Sequence, residues 1–148
     1  VIPRRGRRTG AAALLLALVA STGCTVSEPG EKGWNEIART SLTDAAGEVA
    51  TARLTVAAAR DDEVWDAYAV TVTSEVERQV ATAEESLASV QPPPGLRERA
   101  EQLLTILGDA ADAVRAARVA VVAGDIDEAL LRQLRDTVSA LERAAGRL

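Results

Sequence analysis

Few residues in this chain of 148 could do chemistry, and their types narrow that chemistry sharply. There is no histidine, there is one cysteine (Cys24), and there are 22 carboxylates. Without imidazole the chain lacks the commonest general base, any His-ligated zinc, and the Glu-x-x-His pairs that hold two irons inside a helical bundle. A lone cysteine forbids an intrachain disulfide. No Gly-rich phosphate loop occurs. Carboxylates alone remain. Asp44 and Glu48 stand one helical turn apart, a spacing that suits an acid–base pair but equally a solvated helix face. The run Asp125-Ile126-Asp127-Glu128 lacks the spacing of a calcium loop. The expectation is a chain that is not an enzyme and holds no cofactor and no metal.

Cys24 closes a stretch unlike the rest. Residues 1–10, VIPRRGRRTG, carry four arginines and no acid; Ala11 to Ala20 are apolar; small residues lead into Cys24. A charged segment, a short apolar segment and small residues form the layout of a secretory signal. The apolar run is shorter than the roughly 20 residues a membrane span needs. Its end, Ala20-Ser21-Thr22-Gly23-Cys24, resembles the lipobox of bacterial lipoproteins, with small residues and Gly directly before Cys. The family usually carries Leu where this chain has Ser21. The resemblance implies cleavage after Gly23, lipid (palmitate among its acyl chains) on the Cys24 thiol, and a protein anchored on the extracytoplasmic face of the cell membrane. Residues 1–23 are then a removed signal peptide. The paired arginines suggest twin-arginine export, while Thr9-Gly10 after them suits the general secretory route; both stay open.

Beyond Cys24, 13 of the 17 basic residues face all 22 acidic ones, a formal charge of about −9. That balance argues against nucleic acid as a partner, which needs a basic footprint. Only three aromatic residues occur, Trp34, Trp65 and Tyr68. A core built of Ala, Val and Leu requires helices that approach closely.

The elements that must position these residues read as four helices. Residues 24–33 form a lipidated, flexible tether broken by Pro29, Gly30 and Gly33, reaching about 30 Å when extended. A first helix over about 34–60 has the stripe Ile37, Ser41, Ala45, Val49, Ala52, Val56 and Ala59. Gly47 weakens its middle by about 1 kcal/mol. Asp61-Asp62 predict a tight reversal and an N-cap. A second helix over about 63–90 has the stripe Trp65, Ala69, Val72, Val76, Val80, Ala83, Leu87 and Val90; its β-branched residues favour a strand, but the helical period is sustained. Gln91-Pro92-Pro93-Pro94-Gly95 is the clearest breaker. A third helix over about 94–123 carries an unbroken seam from Leu96 to Val121, and Gly124 ends it. Asp125 with Glu128 then predicts a capping box for a fourth helix over about 126–147, with Ile126, Leu130, Leu134, Val138, Leu141, Ala145 and Leu148 inward. Each helix would be about 40 Å long. The fold expected for residues 34–148 is all-α, an up-down-up-down four-helix bundle.

That topology puts the tether, the proline loop and the C-terminus at one end and the two remaining turns at the other. The first end carries Lys32, Arg97, Arg99, Arg143 and Arg147, partly offset by Glu31, Glu98 and Glu101; the distal tip carries Asp61, Asp62, Glu63, Asp66, Asp125, Asp127 and Glu128 with Trp65 and Tyr68. The helix dipole alone explains much of this charge pattern. Core packing is the ordinary role for Trp65 and Tyr68, and a binding hot spot the sharper one. Trp34 either staples the entry of the first helix or touches the membrane interface. The expected function is a lipid-anchored, non-enzymatic helical module of the bacterial cell envelope that binds or scaffolds another envelope component, an envelope protein being one candidate, and contacts the membrane through the lipid on Cys24. The alternative is an extracytoplasmic bundle that senses or binds a small molecule. The tip residues Asp61, Asp62, Trp65, Tyr68, Asp125 and Asp127 are the candidate partner site.

Overall fold

No proline falls between Gly30 and Pro92, and the residues between are rich in alanine, which favours helix. The structure, a computed structural model, describes residues 30–148. The leader, Cys24 and most of the tether lie outside the described residues. Four helices follow: α1 (Glu31–Arg60), α2 (Asp66–Ala88), α3 (Arg97–Ala123) and α4 (Glu128–Ala145). No strand occurs among the described residues. The fold is the expected all-α, up-down-up-down bundle.

The helix ends differ from the sequence expectation, each for a local reason. α1 begins at Glu31 rather than near residue 34, taking in three residues assigned to the tether. Glu31 suits the positive end of the helix, and the Trp34 N–H donates to the Gly30 carbonyl at 2.9 Å. At the other end, Asp61 and Asp62 do not cap α2; they close α1. The Asp62 N–H donates to Ala59 O (3.2 Å) and the Glu63 N–H to Ala58 O (2.8 Å), with Asp62 at φ 57°. This is a Schellman closure with aspartate in the left-handed position that glycine usually fills. α2 therefore starts three residues later than expected, at Asp66, with Trp65 at its N-cap.

α3 starts at Arg97, not at residue 94. Its three prolines stay outside the helix because Gly95 turns the chain at φ 91° and the Leu96 N–H donates to Pro93 O. Pro94 then Gly95 is the residue order of a type II turn. The C-terminus of α3 follows expectation. Gly124 sits at φ 66°, and the Asp125 N–H reaches back to Ala120 O at 3.0 Å. The cap of α4 is corrected: Asp127, not Asp125, accepts the Leu130 N–H on its side chain at 2.7 Å. The Asp125 backbone N–H closes α3, and α4 is shorter than expected at both ends, with 18 residues and a length of about 27 Å.

The hydroxyls of the β-branched run of α2 find their partners within the helix. Thr71, Thr73 and Ser74 donate to the carbonyls of Ala67, Ala69 and Val70, one turn back. Thr73 is fully buried, and this bond satisfies it.

α1 is the centre of the bundle. It packs on α2 and α4 and crosses diagonally to α3, while α2 and α4 do not meet. A helix with three neighbours needs a broad apolar face. α1 accordingly buries Trp34, Ala38, Leu42 and Ala46 beside the expected Ser41, Ala45, Val49, Ala52 and Val56, whereas Ile37 and Ala59 are half-buried. The α3 seam is buried as expected from Ala100 to Val121. α4 is rotated from the expected stripe. Leu131, Leu134, Leu141 and Ala144 are buried, and Ile126, Leu130, Val138 and Ala145 only partly so. Glu77 on α2 bonds Arg118 (2.6 Å) and Arg115 (3.3 Å) on α3, fixing the register of that pair.

Candidate interaction surface

Of the tip acids expected to meet a partner, Asp61 and Asp127 use their carboxylates locally, and Asp62 and Asp125 take part in the turns through their backbone. Asp61 accepts from Arg60 Nε at 2.9 Å, and Arg60 Nη1 reaches Glu128 at 2.7 Å, tying the end of α1 to the start of α4. The Arg60 hydrogen bond holds the Asp61 carboxyl below its ordinary range, and Asp61 and Glu128 raise the Arg60 guanidinium in turn. Asp62 occupies the left-handed turn position, Asp125 the α3 closure and Asp127 the α4 cap. The sequence reading missed Arg60 as the clamp of the tip. Its signal was present, a cation at a helix C-terminus beside acids, but the long-range partner Glu128 depended on how the two turns meet.

Beside the exposed carboxylates of Asp62 and Asp125, the tip presents two aromatic side chains. Trp65 is 86% exposed and Tyr68 56% exposed, so the core-packing role for both is corrected. Both precede Ala69, the first buried residue of α2. Trp65 also serves α2 poorly. It stands at the N-cap with no side-chain oxygen to offer, and α2 has no side-chain cap. A capping Ser, Asp or Asn there would contribute about 1 kcal/mol. The other large exposed apolar residues are Leu54 near the end of α1 and Val119 and Val122 near the end of α3. All five lie in the distal part of the bundle, where α1 ends, α2 begins and α3 ends.

Trp34 is the opposite case. It lies in the first turn of α1 with no exposed surface, which excludes contact with a membrane interface. Its indole Nε1–H has no hydrogen-bond partner, and neither does the buried Oδ1 of neighbouring Asn35. At this proximal end, Arg99 donates to the Arg147 carbonyl and joins the start of α3 to the end of α4.

Between α1 and α2 runs an open groove of about 870 Å³. Its walls include Thr40, Asp44, Gly47 and Glu48 from α1 and Gln79 and Thr82 from α2. Asp44 and Glu48, one turn apart, both line it. Gln79 is oriented by Glu75, whose Oε1 accepts the Gln79 Nε2–H at 2.6 Å; that bond, with a smaller contribution from Arg78, lowers the Glu75 carboxyl from its ordinary value. The groove went unpredicted because it depends on how far the two helices stand apart. Gly47 and the surrounding Thr and Ser were its only trace in the sequence.

Among the described residues no three acidic or cysteine side chains converge to hold a metal ion. No helix among them is long and apolar enough to cross a membrane. Compared with known proteins, the chain matches no family model, no curated protein and no solved structure.

Proposed function

We propose that the mature chain is a lipid-anchored, non-enzymatic helical module of the bacterial cell envelope that docks another envelope protein through the end farthest from its anchor. The anchor is the acylated thiol of Cys24, at the end of a leader with lipoprotein layout. The short tether and antiparallel bundle then direct the α1–α2 and α3–α4 turns away from the membrane. The observation that carries this reading is the placement of large exposed apolar side chains, with Trp65 at 86% exposure in a position where a capping residue would stabilise α2. Exposed aromatics rimmed by charge are the usual anchors of protein interfaces.

The test is photo-crosslinking in membranes of bacteria producing the full chain, with the crosslinker at Trp65 and, as a proximal control, at Glu98. The expected result is one dominant protein adduct at Trp65 that is absent at Glu98 and falls at least fivefold in a Cys24→Ala variant. Equal labelling at both ends would sink the reading. A second reading, a bundle that binds a small molecule, draws support from the α1–α2 groove with its hydroxyls and carboxylates. A metabolite mixture that retains one compound on the purified protein, without any adduct at Trp65, favours that reading instead.

A further inference from the structure

Helical spacing puts two residues of the apolar tip on the same faces of α1 and α2 as the groove. On α1, Leu54 stands about two turns from Gly47, about three from Thr43 and about five from Glu36, spacings that return a helix to the same face. Those three residues line the groove. On α2, Tyr68 stands about three turns from Gln79 and about five from Ser86, which line the opposite wall. Extended toward the tip, the same faces of α1 and α2 run on to Leu54 and Tyr68, and Trp65 stands one turn before Tyr68, at the N-cap of α2. The whole surface is about 27 Å long from Glu36 to Leu54.

Its chemistry changes along that length. The proximal part carries Glu36, Asp44 and Glu48, and no lysine or arginine lines it. Arg78 on α2 is engaged by Glu75. The distal part presents Leu54, Tyr68 and Trp65, all more than half exposed. We propose that this face is the docking site for a basic amphipathic segment of a partner protein, about five helical turns long, with Lys or Arg laid along Asp44 and Glu48 and an apolar anchor seated between Leu54 and Tyr68. The proposal rests on the partner-docking reading above and names its chemistry.

Charge selects this occupant over others. A second copy of the chain fits badly. Side by side in parallel it sets carboxylates against carboxylates, and antiparallel it sets the apolar tip against the acidic stretch. Anionic lipid is repelled by the same carboxylates.

The test uses the full chain in bacterial membranes with a photo-crosslinker at Gln79 or at Tyr68, followed by mass spectrometry of the linked peptides. The expected result is that both positions label one segment of one protein, basic opposite Gln79 and apolar opposite Tyr68. Asp44→Asn with Glu48→Gln should lower the Gln79 yield at least fivefold, while Glu98→Gln with Glu101→Gln, matched in charge but on α3, leaves it unchanged. Labelling at Tyr68 without labelling at Gln79 overturns the groove proposal and leaves tip docking intact. A linked segment without basic residues, a second copy of this chain, or equal loss in the α3 control also overturns it. No protein adduct at either position overturns both this proposal and the reading it rests on.

Discussion

The two tryptophans of this chain stand at comparable places and have opposite fates. Trp34 is in the first turn of α1 at the proximal end, and Trp65 is the N-cap of α2 at the distal end. Trp34 has no exposed surface; Trp65 is almost wholly exposed. The difference lies in their neighbours. α1 is touched by three helices, so a side chain on its inner face is covered from several sides. Trp65 precedes the first buried residue of its helix and has α2's open end around it. One end of the molecule is closed by its largest side chain, and the other leaves the same type of side chain to solvent.

Substitution should break this comparison most visibly at the tryptophans themselves. Trp34→Ala should cost about 3–5 kcal/mol in denaturant unfolding, the usual range for deleting a large buried aromatic. Trp65→Asp should have the opposite sign and stabilise by about 0.5–1 kcal/mol, because it supplies the missing cap while losing little buried area. A destabilised Trp65→Asp protein would show that the indole packs, and would remove the main support for a docking role.

Between the two ends, Glu77 holds α2 to α3. The Arg118 hydrogen bond, with Arg115 behind it, holds its carboxyl below the ordinary range. A depressed folded-state value stabilises above the unfolded value, near pH 4.3, and that stabilisation is lost as pH falls through the folded value. Glu77→Gln should therefore lower stability by about 1 kcal/mol at pH 7, as expected for a partly exposed pair, and the gap to the parent should close below about pH 4. A pH titration of the unfolding midpoint measures it. A gap that persists at pH 2 would assign the effect to packing rather than charge.

A small effect sharpens the groove. Gly47 sits mid-helix on its wall with open space where a Cβ would go. Gly47→Ala should stabilise by about 0.5–1 kcal/mol through helix propensity. If instead it destabilises, α1 and α2 approach more closely there than the groove indicates.

Much of the bundle was legible in the chain. The α3 seam was readable because its apolar residues keep one spacing from Leu96 to Val121, and Gly124 ended the helix where a left-handed residue was needed. The proline loop broke the chain in the expected place, though Gly95 kept its prolines out of α3. The starts of α2 and α4 were misread because two aspartates compete at each turn. Asp61 and Asp62 went to the end of α1, and Asp125 to the end of α3, leaving Trp65 and Asp127 to begin the next helices. Composition cannot decide that competition; hydrogen bonds that reach back into the preceding helix do. Of the candidate site, Trp65 and Tyr68 were named from their position near a turn, whereas the groove and the Arg60–Glu128 clamp were not seen.

By itself the sequence determined helix number, the all-α class, the approximate breaks and the chemistries excluded by lacking histidine and having one cysteine, because these follow from local propensity, periodicity and residue inventory. Only the tertiary structure decided which tryptophan is buried, that α1 is central, and that Asp44, Glu48 and Gln79 share a groove. Those depend on how far apart helices stand and which faces they cover, and a stripe of small residues permits several such arrangements.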